Sequence, residues 1–350
     1  MARLQPGRLL KPLFKQSAAL QRAMANVEAG LLGGVMAIGA RVSVERASDF
    51  GYRLGRSVAS RMRKDQNVRG NLAVAFPGHS LEWIAATSAE IWGQIGRSLA
   101  EFPHLPRITG PDLRRRFDLE SRIPLGEIVG ARTGYVFVGV HQANWNLLAA
   151  GGALGGFPVS VVTTSQNNEA LERLIARYRD AMPCGIIYVA DTVKRMVSEL
   201  NAGRHVGLFI DHRVDNGEMV PFFGHPAATT TVAARIAAKL GTAMVPTRLE
   251  RLPGVRFRLT FEEPVLPPAG VRDPREAAFD MCVRVNARFE TWIRERPTEW
   301  CCVKRRWPKD VTEHARLAAG LITSLGDYSE ATELKANGLS KRSASSHLDG

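Results

Sequence analysis

Apolar runs are short in this chain of 350 residues. The most apolar, Ala29 to Ala40, holds 12 residues, against about 20 for a bilayer-spanning helix. Cysteine is scarce: Cys184, Cys282, Cys301 and Cys302 make no Cys-x-x-Cys pair and no zinc spacing. That removes a structural zinc site and a disulfide framework, and suits a reducing compartment. Three motifs are missing: a Gly-x-x-x-x-Gly-Lys-Ser/Thr loop, a Gly-x-Gly-x-x-Gly turn after a strand, and a Gly-x-Ser-x-Gly elbow. NTPase, dinucleotide-dependent and α/β-hydrolase chemistries lose their usual support with them. Negative charge is in deficit. The 34 Asp and Glu face 47 Lys and Arg, for a formal charge of +13, which favours an anionic partner. Aromatics make up 7% and do not interleave with the basic residues. A single-strand nucleic-acid surface needs that interleaving, so no nucleic-acid partner is expected.

The basic surplus sits at one end. Residues 1–70 carry thirteen Lys or Arg against four Asp or Glu. The same region holds the apolar run, so an anionic membrane surface suits it best. An interfacial anchor, a marginal span and a buried amphipathic helix all remain open for Ala29 to Ala40. A signal peptide ranks lowest, because the leader is long and Glu28 interrupts the approach to the apolar core.

Residues 43–63 read as helix. Arg69-Gly70-Asn71-Leu72 and Phe76-Pro77-Gly78 read as a connector ending in a turn. Ser80 is placed to cap a helix reaching about Glu101, which Pro103, Pro106 and Pro111 end. Residues 43–102 thus form a helical layer ahead of a sheet.

From residue 134 strands and helices alternate. Strands are expected at Tyr135 to Val140, Val159 to Thr164, Gly185 to Ala190, His205 to Asp211, Ala243 to Leu249 and Arg256 to Phe261. The last alternates polar and apolar and is expected near an edge. Helices are expected at Glu169 to Asp180, Val193 to Leu200, Thr230 to Leu240 and Arg275 to Arg296. This is the pattern of an α/β fold with helices on the faces of its sheet. Apolar content weakens after Pro308, and the chain reads as disordered from Ser340. The expected division is a basic, apolar anchor segment over 1–42, a catalytic unit over 43–310 and a tail over 311–350.

His141 is the first candidate for chemistry. It ends the buried run Tyr135 to Val140 and precedes a helix-compatible segment that starts near Asn144. The carboxyl edge of an open α/β sheet is where ligands bind, and an imidazole there can take a proton from an attacking hydroxyl. A histidine hydrogen-bonded in a turn is the plain alternative. Asp211 also ends a strand and is placed to orient a base, bind a cation or cap a loop. Phe222-Phe223-Gly224-His225-Pro226 reads as a rigid apolar loop suited to an acyl slot or to packing, with the threonines after it capping a helix. Arg177 and Arg179, two apart on a helix, do not share a face. One therefore faces solvent and leaves the other to bind phosphate in the site.

The ordered series resembles the bacterial late acyltransferases of lipid A biosynthesis, the lauroyl/myristoyl family, over roughly residues 25–308. It runs Arg69-x-Asn71-Leu72 with Phe76-Pro77; the strand into His141 with Asn144-Trp145; Asn168 ahead of Arg179; Asp211. It continues with Val220-Pro221-Phe222-Phe223-Gly224, Thr229, Val245-Pro246, Pro297-x-Glu299-Trp300 and Lys304-Arg305-Arg306-Trp307. The resemblance implies a mixed central sheet flanked by helices, glycerolipid-acyltransferase-like, with an N-terminal helical membrane anchor. It implies an enzyme on the cytoplasmic face of a bacterial inner membrane. That enzyme moves a fatty acyl chain from acyl carrier protein to a hydroxyl of a lipid A precursor glycolipid, with no cofactor and no metal. His141 would be the base, with position 146, Arg179 and Asp211 supporting it. Asn144, Trp145 and Asn168 would contact substrate, as would Phe222, Phe223, Gly224 and Thr229.

One position departs from the family. Its signature places an acidic residue after four residues following the histidine, and here that position is Asn146. An amide cannot neutralise an imidazolium; the comparable Asp-to-Asn change in the serine-protease triad costs about 10⁴ in rate. Asp211 taking over the orienting role, a slow enzyme, and a catalytically silent lipid-binding relative are the three outcomes. Of these the active enzyme is favoured, because His141, Arg179, Asp211 and the Phe-Phe-Gly stretch are all present. Transfer from acyl-CoA to another glycolipid or a lysolipid is the alternative within enzymes.

Overall fold

The structure, a computed structural model, describes residues 18–189 and 192–324. The basic leader ahead of residue 18 and the tail from Ser340 lie outside those residues. Four helices come first: α1 (Ala18–Gly39), α2 (Val44–Val58), α3 (Asp65–Ala75) and α4 (Leu81–Glu101). Ser80 caps α4 as expected, accepting from the Trp83 N–H at 3.2 Å. Helices α2 and α4 touch backbone to backbone, because Gly51, Gly55 and Gly96 meet there and a Cβ on any of them would strike main-chain atoms. The connector expected over Arg69 to Leu72 is instead the middle of α3. Val68, Leu72 and Val74 of that helix are buried in the core, an apolar face that outweighs the local Gly70-Asn71 signal.

Nine strands follow among the described residues. They are β1 (Phe117–Ser121), β2 (Val136–Gly139), β3 (Val159–Thr163), β4 (Gly185–Tyr188), β5 (His205–Phe209), β6 (Glu218–Phe222), β7 (His225–Thr229), β8 (Met244–Leu252) and β9 (Arg256–Phe261). Seven of them form one sheet in the order β1-β9-β8-β2-β5-β3-β4. Strands β8, β2, β5, β3 and β4 run parallel; β9 is antiparallel to β8, and β1 runs with β9. The Arg256 strand is therefore one place in from the edge. The true edge, β1, has the polar sequence Phe-Asp-Leu-Glu-Ser and gives little strand signal. Strands β6 and β7 pair as a separate antiparallel hairpin, so the stretch expected to be a loop is two strands joined at Phe223-Gly224. Both turn residues have positive φ, 51° and 74°.

The later helices of nine or more residues are α5 (Glu169–Arg179), α6 (Thr192–Asn201), α7 (Val232–Leu240), α8 (Pro274–Glu295) and α9 (Lys309–Ala318). Alternation along β2 divides the core. Val136, Val138 and Val140 join one cluster with residues of α7 and α8. Phe137 joins the other, with Phe157, Phe261 and Leu174. Helix α1 lies on the second side: Ala29 and Met36 are buried, and its Gly33 meets Leu174 of α5. None of the described helices is long and apolar enough to cross a membrane. Helix α9 packs on α3, where Thr312 lies against Gly70.

Candidate active site

Strand register creates the site. β2 and β5 are neighbours with Val136 opposite Val206 and Gly139 opposite Phe209. Two residues further along each chain, at the carboxyl edge, stand His141 and Asp211. The His141 Nδ1 lies 2.6 Å from Asp211 Oδ1, and the His141 backbone N–H donates to Oδ2 at 3.1 Å. Trp300 donates its indole N–H to the same oxygen at 3.4 Å. The Asp211 side chain is 1% exposed and that of His141 15%. Burial alone would raise the Asp211 pKa; the charge of His141 and its hydrogen bonds, with the charge of His212, outweigh burial and hold the carboxyl well below the usual range. The carboxylate is thus ionised at neutral pH and accepts a proton-bearing Nδ1. With Nδ1 engaged by Asp211, a neutral imidazole would carry its lone pair on Nε2, an arrangement that can serve general-base chemistry.

The His141 turn is clamped. Its carbonyl accepts from the Cys301 N–H at 2.7 Å, and the Ala143 N–H donates to the Glu299 carbonyl at 3.1 Å. Gln142 bridges to Trp300. Ala143 holds φ 51°, a conformation that costs a non-glycine residue about 1–3 kcal/mol. Its carbonyl is tied down by the Ser98 hydroxyl at 3.1 Å. His212 stacks on His141 with ring centroids 3.8 Å apart and 11° between planes. Burial, then repulsion from His141, pushes the His212 imidazole down to about 3, so a neutral ring lies against that of His141. Burial and the charge of Asp211 push the Cys301 thiol up to about 12, which excludes it as a nucleophile near neutral pH. Among the described residues, His141, Asp211 and His212 also bring metal-capable atoms within 4.8 Å of one another; the Nδ1 of His141 is already engaged by Asp211.

The other expected site residues lie as follows. Asn144 is buried and donates to Glu101 Oε2 at 2.8 Å. Asn146 donates to Asn144 Oδ1 at 3.1 Å and makes no hydrogen bond to His141. The Trp145 ring stands 5.9 Å from the His141 ring. Arg179 pairs with Glu172 at 2.9 Å, and Arg177 is exposed. Asn168 caps α5, its Oδ1 accepting from the Ala170 and Leu171 N–H groups, and donates to the Ala25 carbonyl of α1. Phe222 and Phe223 pack in a cluster with Trp300 and Trp307. Gly224 supplies the hairpin turn, and Thr229 accepts from Arg306 Nη2 at 2.6 Å.

Contacts across long sequence separations complete the site. Trp300 reaches Asp211, and Asn71 holds the following segment by donating to the Cys302 and Lys304 carbonyls at 2.8 and 2.7 Å. The motifs at 69–72 and 297–307 therefore brace one another beside the His141 turn. A family model described as bacterial lipid A biosynthesis acyltransferase matches residues 16–309. The chain belongs to that family. Two relatives are the lipid A biosynthesis palmitoleoyltransferase of Escherichia coli (strain K12) and the lipid A biosynthesis acyltransferase of Shigella flexneri. Each is 25% identical over 267 residues, covering 74% of this chain and 83% of its own. A solved structure, the 1-acyl-sn-glycerophosphate acyltransferase PlsC from Thermotoga maritima, aligns over 71% of this chain and 95% of that one. At 13% identity and a TM-score of 0.34 the likeness is too loose to argue from. Membership makes the chain an acyltransferase, and the expectation drawn from its ordered motifs is met at that level.

Proposed function

We propose that this lipid A family acyltransferase moves a fatty acyl chain from acyl carrier protein to a hydroxyl of a lipid A precursor glycolipid. His141 is the general base and Asp211 orients it. The observation that carries this reading is the 2.6 Å contact between His141 Nδ1 and Asp211 Oδ1. It supplies the carboxylate that the family signature places at 146, where this chain has Asn146.

The acceptor O–H gives its proton to His141 Nε2 as its oxygen attacks the thioester carbonyl. Asp211 stabilises the imidazolium that forms. Collapse of the tetrahedral intermediate breaks the C–S bond, and the imidazolium returns the proton to the departing thiolate. An ester and a free carrier thiol result, with no change of redox state. His212, neutral and stacked on the base, adds no competing positive charge.

The enzyme works at the cytoplasmic face of a bacterial inner membrane. Two surface features support this. Helix α1 exposes Val27, Leu31, Val35 and Ile38 along one stripe, opposite the face that Ala29 and Met36 bury. Helix α2 exposes Phe50 and Leu54 on the turns that carry Arg46 and Arg53. An apolar stripe with basic neighbours seats a helix in the plane of an anionic surface.

Acyl transfer by the purified protein tests the reading. Carrier protein loaded with several chain lengths and a lipid A precursor are supplied, and the lipid product is weighed. Wild type is expected to add one acyl mass, and His141→Ala none. Equal product from His141→Ala would overturn the assignment of the base, and transfer only from acyl-CoA would replace the donor.

A further inference from the structure

Behind Asn146 lies a chain of polar contacts with a fixed direction. Glu101, at the carboxyl end of α4, is fully buried. Arg251 of β8 grips it with both terminal nitrogens, Nη1 to Oε1 at 2.7 Å and Nη2 to Oε2 at 2.9 Å. Ser48 of α2 donates to Oε1 at 2.6 Å, and Asn144 Nδ2 donates to Oε2 at 2.8 Å. A carboxylate paired with a guanidinium only accepts. The Asn144 amide therefore has one orientation, with its NH₂ toward Glu101 and its oxygen toward Asn146. Asn146 meets that oxygen with its own NH₂ at 3.1 Å. Its Oδ1 is then turned away from Asn144, and among the described residues no donor meets it. Asn146 is partly exposed, in the same turn as the base.

We propose that the Arg251–Glu101–Asn144 relay selects an amide at position 146 and makes Asn146 a substrate-positioning residue. Its side-chain oxygen accepts a hydrogen bond from an N–H or O–H of the acyl acceptor. The substrate half of this inference rests on the acyl-transfer reading above. A carboxylate at 146 would set oxygen against the Asn144 oxygen with no proton between them. Turning the Asn144 amide over only moves the clash inward, to Glu101, where no water relieves it. The acid of the family signature and this relay exclude one another. The negative charge sits one layer deeper, on Glu101, and Asp211 serves the base. Asn146 is thus the end of a directed polar network, in which each contact from Arg251 through Glu101 and Asn144 to Asn146 pairs a donor with an acceptor.

Five proteins test this: wild type, Asn146→Asp, Glu101→Gln, the double variant of those two, and Asn146→Ala. Each is melted thermally, and kcat and KM are measured against acceptor and donor separately. Asn146→Asp is expected to melt lower than wild type and to lose about tenfold or more in kcat/KM. In the double variant the new glutamine donates to the Asn144 oxygen, and Asn144 turns its NH₂ to the introduced carboxylate. Arg251 still has one negative charge in the network, so the double variant is expected to melt above the sum of the two single losses. Asn146→Ala is expected to raise KM for the acceptor about fivefold and leave KM for the donor unchanged. An Asn146→Asp protein that matches wild type in melting and in kcat/KM overturns the relay. So does a double variant that shows no more than additive loss. An unchanged acceptor KM in Asn146→Ala overturns the substrate contact. If wild type transfers no acyl chain to any acceptor, the functional reading falls and takes the substrate contact with it, while the melting cycle still decides the relay.

Discussion

At the scale of single residues, the proposed reaction depends on which nitrogen of His141 carries the proton. Asp211 contacts Nδ1, and in the proposed reaction Nε2 takes the acceptor proton. Asp211→Asn keeps shape and burial and removes that instruction. An amide there can turn its NH₂ to Nδ1 and select the wrong tautomer. The expected outcome is a loss in kcat of about 10³-fold or more, by analogy with the triad aspartate, with the acceptor KM changed less than twofold. Steady-state rates on the carrier-linked donor check it, and activity within tenfold of wild type would remove Asp211 from its orienting role. Both halves of this pair were legible in the sequence, because each ends an apolar strand and strand ends are where such groups collect. The long-range contacts around them were not. Trp300 reaches Asp211 across 89 positions and Arg251 reaches Glu101 across 150. Nothing local in a sequence announces a contact at that range.

At the scale of elements, helix α1 is apolar on two sides for two different reasons. Ala29 and Met36 face the body of the enzyme, while Leu31 and Val35 are 70% and 67% exposed. Burying each of the latter in a lipid interface contributes about 1.5–3 kcal/mol. The double variant Leu31→Asp/Val35→Asp is therefore expected to weaken binding to anionic vesicles by about 10²-fold or more. Its melting temperature in solution stays the same, because neither side chain packs on the protein. Co-sedimentation with vesicles checks this, and unchanged sedimentation would leave the stripe without that role. The elements that escaped sequence reading share a cause. Strand β1 is polar because it lies on the sheet edge, α3 carries Gly70 and Asn71 where tertiary contacts hold it, and β6–β7 has Pro221 and Pro226 facing each other in its ladder. In each, long-range packing overrides the local signal. The central parallel strands were readable because burial on both faces leaves them uniformly apolar.

At the scale of the whole molecule, acid stability is set by groups that folding holds in one protonation state. His205 of β5 is buried and accepts the Tyr135 N–H on Nδ1 at 2.9 Å. Burial pushes its pKa down to about 4, and burial with the charge of His141 pushes that of His212 down to about 3. Both rings bind a proton near pH 6.5 once unfolded, so between pH 6.5 and about 4 the unfolded chain holds more protons than the native one. Stability therefore falls as pH drops through that window, by up to about 1.4 kcal/mol per pH unit for each histidine. Asp211 adds a separate loss at lower pH. Its carboxyl is depressed in the fold, so its contribution is complete above the unfolded value near 4 and disappears as pH falls below that. Burial also lowers the His104 imidazole, which adds to the same loss, so thermal melting is expected to be flat above pH 7 and to decline between pH 6.5 and 4. His212→Gln removes one of these buried titrations, so its slope should be shallower while the plateau above pH 7 shifts only by the lost stack. A wild-type slope that persists unchanged in His212→Gln would mean that His212 takes up its proton within the folded site, and the neutral ring against His141 would have to be given up.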